Sequence, residues 1–178
     1  VGGNISSGQP VMAAGGFDQK ESEEFFGSEE PYLPLATRPD VLVFQTEPLV
    51  EDLEVTGPVS VQLWISSSAV DTDFTAKLVD VYPPSEDYPE GYALNLTDGI
   101  LRVKFRSSWE RTELMVPGEV YQVEVGLLPI SNLFVKGHRI RLDISSSNFP
   151  RFDVNGNTGE NPGTSSVRIT ALNGVYHD

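Results

Sequence analysis

The chain of 178 residues has no cysteine, two histidines and two methionines. Without thiols it can form neither disulfides nor thiolate metal sites, although the compartment stays open because many secreted bacterial proteins also lack cysteine. Basic residues are scarce too, with 12 Lys+Arg against 26 Asp+Glu, a net charge of −14 and a pI of about 4.4. That field repels a phosphate backbone, so nucleic acid is not an expected partner. Runs of roughly 18 apolar residues are missing, which excludes a helical membrane span. The opening Val1-Gly2-Gly3-Asn4 has no basic flank and no apolar stretch, so it does not read as a signal peptide. The acidic balance points to a soluble protein, cytoplasmic or secreted. Helical periodicity is scarce, which excludes a parallel βαβ sheet.

What is present is strand and turn. Gly (16) and Pro (13) punctuate short alternating segments. Val41–Thr46 is β-branched and aromatic. Val59, Val61, Leu63 and Ile65 alternate with Ser60, Gln62, Trp64 and Ser66. Asp71-Thr72-Asp73 reads as a turn, after which Phe74, Ala76 and Leu78 alternate towards Tyr82. Pro83-Pro84 stops that strand, because proline cannot donate to a ladder. Strands are also expected at Ile100–Arg106, Val120–Leu127, His138–Ser145 and Ser166–Leu172. About eight strands at this spacing predict an all-β sandwich or jelly roll. Residues 1–37 lack periodicity and carry an acidic stretch around Phe25 and Phe26, which fits a solvated excursion or a loop docked on a neighbour.

The densest cluster of chemistry-bearing residues is Ile144–Gly159, with Ser145-Ser146-Ser147, Asn148-Phe149-Pro150-Arg151-Phe152 and Asp153-Val154-Asn155-Gly156-Asn157. It contains no nucleophile–base pair. A Gly-x-Ser-x-Gly elbow is absent; Gly163-Thr164-Ser165-Ser166-Val167 lacks the last glycine and a following helix. His138 sits at a strand entry and reads as a hydrogen-bonded structural side chain, and His177 is next to last, so no triad is assigned and no catalytic residue is expected. Asp153, Asn155 and Asn157 resemble the start of a calcium loop. The EF-hand version fails, because the glycine due at 158 and the glutamate due at 164 are both Thr. The simpler reading is an array of Asx turns satisfying local backbone groups. Asp71 and Asp73 could likewise ligate a cation or make a solvated turn. Neither metal nor cofactor is expected.

Other features keep two readings. No carboxylate pair suited to glycosidic cleavage stands out. Trp64 and Trp109 can stack on a sugar if exposed, or be buried, which is the commoner fate of Trp. Arg102, Lys104, Arg106 and Arg111 form a basic stretch that is either a solvated strand face or a docking face for an acidic domain. Asn4-Ile5-Ser6 and Asn95-Leu96-Thr97 fit the N-glycosylation pattern, for which chance is the simpler explanation.

A run of motifs gives the sharper signal. Gly2-Gly3-Asn4, Asp18-Gln19, Arg38-x-Asp40-Val41-Leu42-Val43-Phe44-x-Thr46, Val55-Thr56-Gly57-Pro58 and Ser66-Ser67-Ser68-Ala69-x-Asp71-Thr72-Asp73-Phe74 occur in order. Asp80-Val81-Tyr82-Pro83, Asp98-Gly99-Ile100-x-Arg102, Pro117-Gly118-Glu119 and Gly137-His138-Arg139-Ile140-Arg141-Leu142 follow, and Ser145–Gly159 completes the series. Together they resemble the C-terminal, non-catalytic domain of the X-Pro dipeptidyl-peptidase, cocaine esterase and α-amino acid ester hydrolase family (CocE/NonD hydrolases). The resemblance covers most of residues 38–160 and, more loosely, both ends.

The resemblance implies a jelly-roll β-sandwich of galactose-binding-like topology over 38–178, preceded by an irregular segment, 1–37, with an acidic insertion over 20–36. It implies a partner, an α/β-hydrolase domain of the same polypeptide that carries the Ser–His–Asp triad and cleaves an ester, an amide or an X-Pro peptide. The sandwich would buttress that domain and help wall its pocket. The resemblance also implies one more short strand after Tyr176; without it an edge is open and homo-oligomers can form through it. A carbohydrate-binding module or an oligomerisation domain is the alternative.

Overall fold

The computed structural model describes residues 18–23, 28, 30–149, 151–161 and 165–176. Seven strands are present among them: β1 Leu42–Gln45, β2 Leu53–Ser67, β3 Asp73–Tyr82, β4 Tyr92–Arg102, β5 Tyr121–Phe134, β6 Arg139–Ser145 and β7 Asn173–Tyr176. They form a four-stranded sheet in the order β1-β6-β3-β4 and a three-stranded sheet in the order β5-β2-β7, with every pairing antiparallel. Only β3 and β4 are sequence neighbours within one sheet; every other connection crosses between sheets, as in a jelly roll. The chain is an all-β sandwich.

Alternation decides what each strand buries. On β2, Leu63 and Ile65 point into the sandwich with Val61 behind them, and on β5 Val123 and Val125 do the same. Phe74 and Ala76 of β3, Leu101 of β4 and Ile144 of β6 close the core from the other sheet. Each such side chain stabilises the fold by about 1.5–3 kcal/mol relative to leaving it in water. The sheets pack closely at Gly99, where a Cβ would stand 2.2 Å from the Gly126 carbonyl oxygen on β5. Only glycine fits there.

Three expectations are corrected. Ser166–Leu172 is irregular, and the last strand forms at Asn173–Tyr176 instead. The alternating segment Ile100–Arg106 is not one strand, because β4 ends at Arg102 and a 3₁₀ turn follows over Val103–Phe105. Asp71–Asp73 is no solvated turn, since Asp71 and Asp73 are 0% and 1% exposed.

The outer face of the four-stranded sheet is buried as well. Gln19 donates its backbone N–H to Ala93 O and accepts that of Leu35, so its segment lies along β4. Its side-chain oxygen accepts from Lys77 Nζ at 2.9 Å. From the other side, Asn148 donates to Asp98 at 2.9 Å and Arg151 pairs with the same carboxylate at 3.1 Å. Asp143 pairs with Arg141 at 2.9 Å. Lys77 is therefore enclosed among acids and arginines, and burial pushes its ammonium down to about 8, against the pull of Asp98 and Asp143.

Candidate functional site

The polar residues that stand out in the sequence converge at the end of the sandwich where β2 hands over to β3. Asp71 Oδ1 accepts the Lys104 backbone N–H at 3.0 Å, and Asp73 takes the Arg102 guanidinium through both oxygens, each at 3.0 Å. Asn155 inserts between the two acids, its amide nitrogen 3.2 Å from Asp71 Oδ2 and 2.7 Å from Asp73 Oδ1. Lys104 Nζ lies 3.7 Å from Asp71 and donates to the carbonyls of Gly159 and Glu160 at 3.0 and 3.1 Å. Burial pushes the Asp73 carboxyl up, opposed by Arg102 and Asn155, while Asp73 holds Arg102 still more firmly charged. The network is a lock: strand-end carboxylates grip the 155–160 segment through one asparagine and one lysine.

The same lock shapes the calcium-like run. Asn155 Oδ1 accepts the Asn157 N–H at 2.9 Å, an Asx turn, and Asn157 takes a left-handed φ of 61° that asparagine tolerates. Asn157 donates to Ile169 O at 2.8 Å, and Ile169 N–H donates to Gly156 O at 3.0 Å. A Cβ at Gly156 would meet Val167 O at 2.5 Å, so glycine lets the irregular 165–172 segment lie against the turn. Asp153 contributes its carbonyl, 3.5 Å from Arg102. Among the described residues no three His, Asp or Glu side chains group as metal ligands.

Beside the lock a cleft of about 550 Å³ opens between the sheets, with Phe74, Ile144 and Val175 on its floor and Asp40, Ser146 and Arg168 among its polar lining. The serine run borders it, but Ser145 is tied to Thr75 and to Ser147 O. Among the described residues the one imidazole is His138, at the opposite end of β6. Its Nδ1 is 2.8 Å from Asp80 Oδ1 and its ring lies 4.2 Å from that of Tyr82. His138 is thus held by a buried carboxylate and an aromatic ring. His177, Asn4 and the Phe25–Phe26 pair lie outside the described residues, as do Gly163 and Thr164 of the incomplete Gly-x-Ser-x-Gly segment.

Other candidates fall differently. Of the basic stretch, Arg102 and Lys104 serve the lock, Arg106 pairs with Glu113 at 2.9 Å, and Arg111 is exposed. Both tryptophans are exposed, Trp64 by 52% and Trp109 by 77%, which corrects the expectation of burial. Asn95 is buried in β4, as no glycosylation acceptor is. Within the Ile144–Gly159 run Phe149 is exposed, and its neighbour Asn148, 1% exposed, holds the segment through Asp98. No periodicity announced Lys77 or Asn148, because both gain their partners only when distant segments fold over the sheet.

Known proteins share this fold. The chain is 51% identical over 126 residues to cocaine esterase from Rhodococcus sp. (strain MB1 Bresler), a match covering 71% of this chain and 21% of the esterase. The solved structure of an α-amino acid ester hydrolase superposes with a TM-score of 0.75 at 34% identity, covering 78% of this chain and 24% of that one. An aminopeptidase from the marine sediment archaeon Thaumarchaeota archaeon superposes with a TM-score of 0.66 at 37% identity, covering 69% and 21%. The chain thus spans about a fifth of the length of the curated relative it matches. The model of the X-Pro dipeptidyl-peptidase C-terminal non-catalytic domain matches residues 9–178, and the chain belongs to that family.

Proposed function

We propose that this chain is the accessory β-sandwich of a serine hydrolase of ester-, amide- or X-Pro-cleaving type. It would buttress an α/β-hydrolase domain of the same polypeptide and help shape its substrate pocket. One observation carries the reading: the polar residues that look most like a reaction centre are spent on one another. Asn155 satisfies Asp71 and Asp73, and these hold the segment bordering the cleft. A reaction centre would instead leave a nucleophile within reach of a base. The family match supports the same reading. Residues 38–178 then make the sandwich and 1–37 the segment that enters it.

Two measurements test this. The purified chain is expected to hydrolyse neither p-nitrophenyl esters nor X-Pro anilides; turnover that disappears on substituting a residue within it refutes the proposal. The natural reading frame is expected to encode an α/β-hydrolase domain with a Gly-x-Ser-x-Gly elbow before this sandwich. A frame without one is equally damaging.

A further inference from the structure

Resting on the accessory-domain reading, we infer that the hydrolase domain docks on the outer face of the three-stranded sheet, at the patch formed by Trp64, Tyr176, Leu172 and Val120. Trp64 and Tyr176 are direct cross-strand partners, so both rings stand on one face, and they are 52% and 51% exposed. Ser68 holds Leu172, 80% exposed, through hydrogen bonds of 2.9 and 3.0 Å, which carry the β2–β7 pairing one residue past Ser67 and Asn173 and so set Leu172 on the face of Gly174 and Tyr176. Val120, 48% exposed, shares the face of Gln122, the other cross-strand partner of Trp64. Between them lie the uncharged Ser66, Ser68, Gln122 and Gly174, with exposed Glu124, the cross-strand partner of Gln62 on the same face, at the border of the patch.

The two outer faces differ in a way that identifies the occupant. The four-stranded sheet is covered by its own chain, through Gln19 on Lys77 and through Asn148 and Arg151 on Asp98. The end of the three-stranded sheet has no such cover among the described residues. Four side chains offer on the order of a few hundred Å², short of the ~800 Å² per partner typical of stable complexes between free proteins. A tethered domain needs less, because the link raises its effective concentration. The cocaine esterase relative has about four fifths of its length outside the matched region, enough for such a domain. Its contact surface would be apolar and neutral, with space for two aromatic rings.

Hydroxyl-radical footprinting, read by mass spectrometry, tests the assignment on the full-length polypeptide and on the 178-residue chain. Trp64, Tyr176 and Leu172 are expected to lose most of their labelling in the full-length protein, while Val50, exposed at the far end of the sandwich, keeps its own. In the full-length protein Leu172→Asp is expected to raise labelling of Trp64 and Tyr176 severalfold and leave Val50 unchanged; Leu172 is exposed, so the fold tolerates the change. Equal labelling of Trp64 and Tyr176 in both proteins, or no response to Leu172→Asp, overturns the assignment. Protection found elsewhere on the sandwich overturns this surface but leaves the accessory reading standing, and protection nowhere sinks both. Labelling of the short chain that falls with its own concentration, or with added oligosaccharide, overturns it in favour of a second copy or a glycan.

Discussion

Replacing the buried Lys77 with methionine changes how stability depends on pH, and the sign follows from the structure. Lys77 lies on β3 with Asp98 of β4 on one side and Asp143 and Arg141 of β6 on the other, with Gln19 above and Arg151 nearby. Burial lowers its folded pKa to about 8 from the ordinary 10.5. Below the folded value both states carry the charge and the folded state bears the full desolvation penalty. Between the two values the unfolded chain binds more protons than the folded one, so stability rises with pH across that window. A displacement of this size corresponds to a gain of about 3 kcal/mol from the lower to the upper end.

The assay is urea denaturation of wild type and Lys77→Met from about pH 7.5 to about 10, read as the difference in unfolding free energy. The difference removes the contributions of Tyr82 and Tyr92, whose hydroxyls burial pushes up in both proteins. Asp98 retains Arg151 and Asn148, and Asp143 retains Arg141, so the variant leaves neither carboxylate bare. The variant is expected to match or exceed wild type at neutral pH, as often happens when a buried ion gives way to an apolar isostere. Wild type should then gain on it as pH rises. A flat difference, or one that runs the other way, refutes the claim that desolvation dominates at Lys77.

Three further outcomes follow from the lock, the sheet contact and the half-buried histidine. Asn155→Ala removes the shared donor of Asp71 and Asp73 and the acceptor of the Asn157 N–H, and should cost about 2–4 kcal/mol by urea denaturation. It should also speed amide hydrogen exchange over 155–160; unchanged exchange would contradict the lock. Gly99→Ala drives a methyl into the Gly126 carbonyl and should lower stability by about 1–3 kcal/mol, seen as a drop in Tm. His138→Ala strips the buried Asp80 of its imidazole partner, leaving Asn132 at 3.3 Å, and should cost about 1–3 kcal/mol in denaturation. In the full-length hydrolase the same change should leave kcat essentially unaltered; a large loss of kcat would assign His138 a part in the reaction.

The sandwich was legible because period-two alternation records which side chains face the core, as Val61, Leu63 and Ile65 do on β2. The same signal misleads where a segment alternates without pairing. Val103 is buried in a 3₁₀ turn, so Ile100–Arg106 reads as a strand although its ladder ends at Arg102. The second buried layer was not legible. Asp73, Lys77 and Asp143 read as the polar outer positions of half-buried strands, and nothing local records that the Gln19 and Asn148 segments cover them. Trp64 erred the other way, since burial is the prior for tryptophan, yet its face of β2 has no second layer among the described residues.

These two misreadings have a common cause, and it bears on function. A sheet in a sandwich has one face turned to the partner sheet and one turned away, and the sequence of a strand does not say what covers the second. In the four-stranded sheet the chain's own excursions supply that cover, with polar contacts so specific that they mimic a reaction centre. Asp71, Asp73 and Asn155 have the residue types of a metal or acid–base site, but their hydrogen bonds run to one another and to the backbone they hold. In the three-stranded sheet the polar positions Ser66 and Gln122 flank an exposed aromatic pair whose one side-chain hydrogen bond among the described residues joins the Tyr176 hydroxyl to Ser66 at 3.0 Å. The chemistry-bearing face is therefore inward-looking, and the face with little chemistry is the more exposed one among the described residues. That inversion fits a member of a non-catalytic family: polar groups fix the scaffold, and the exposed apolar side chains lie on the face proposed for docking.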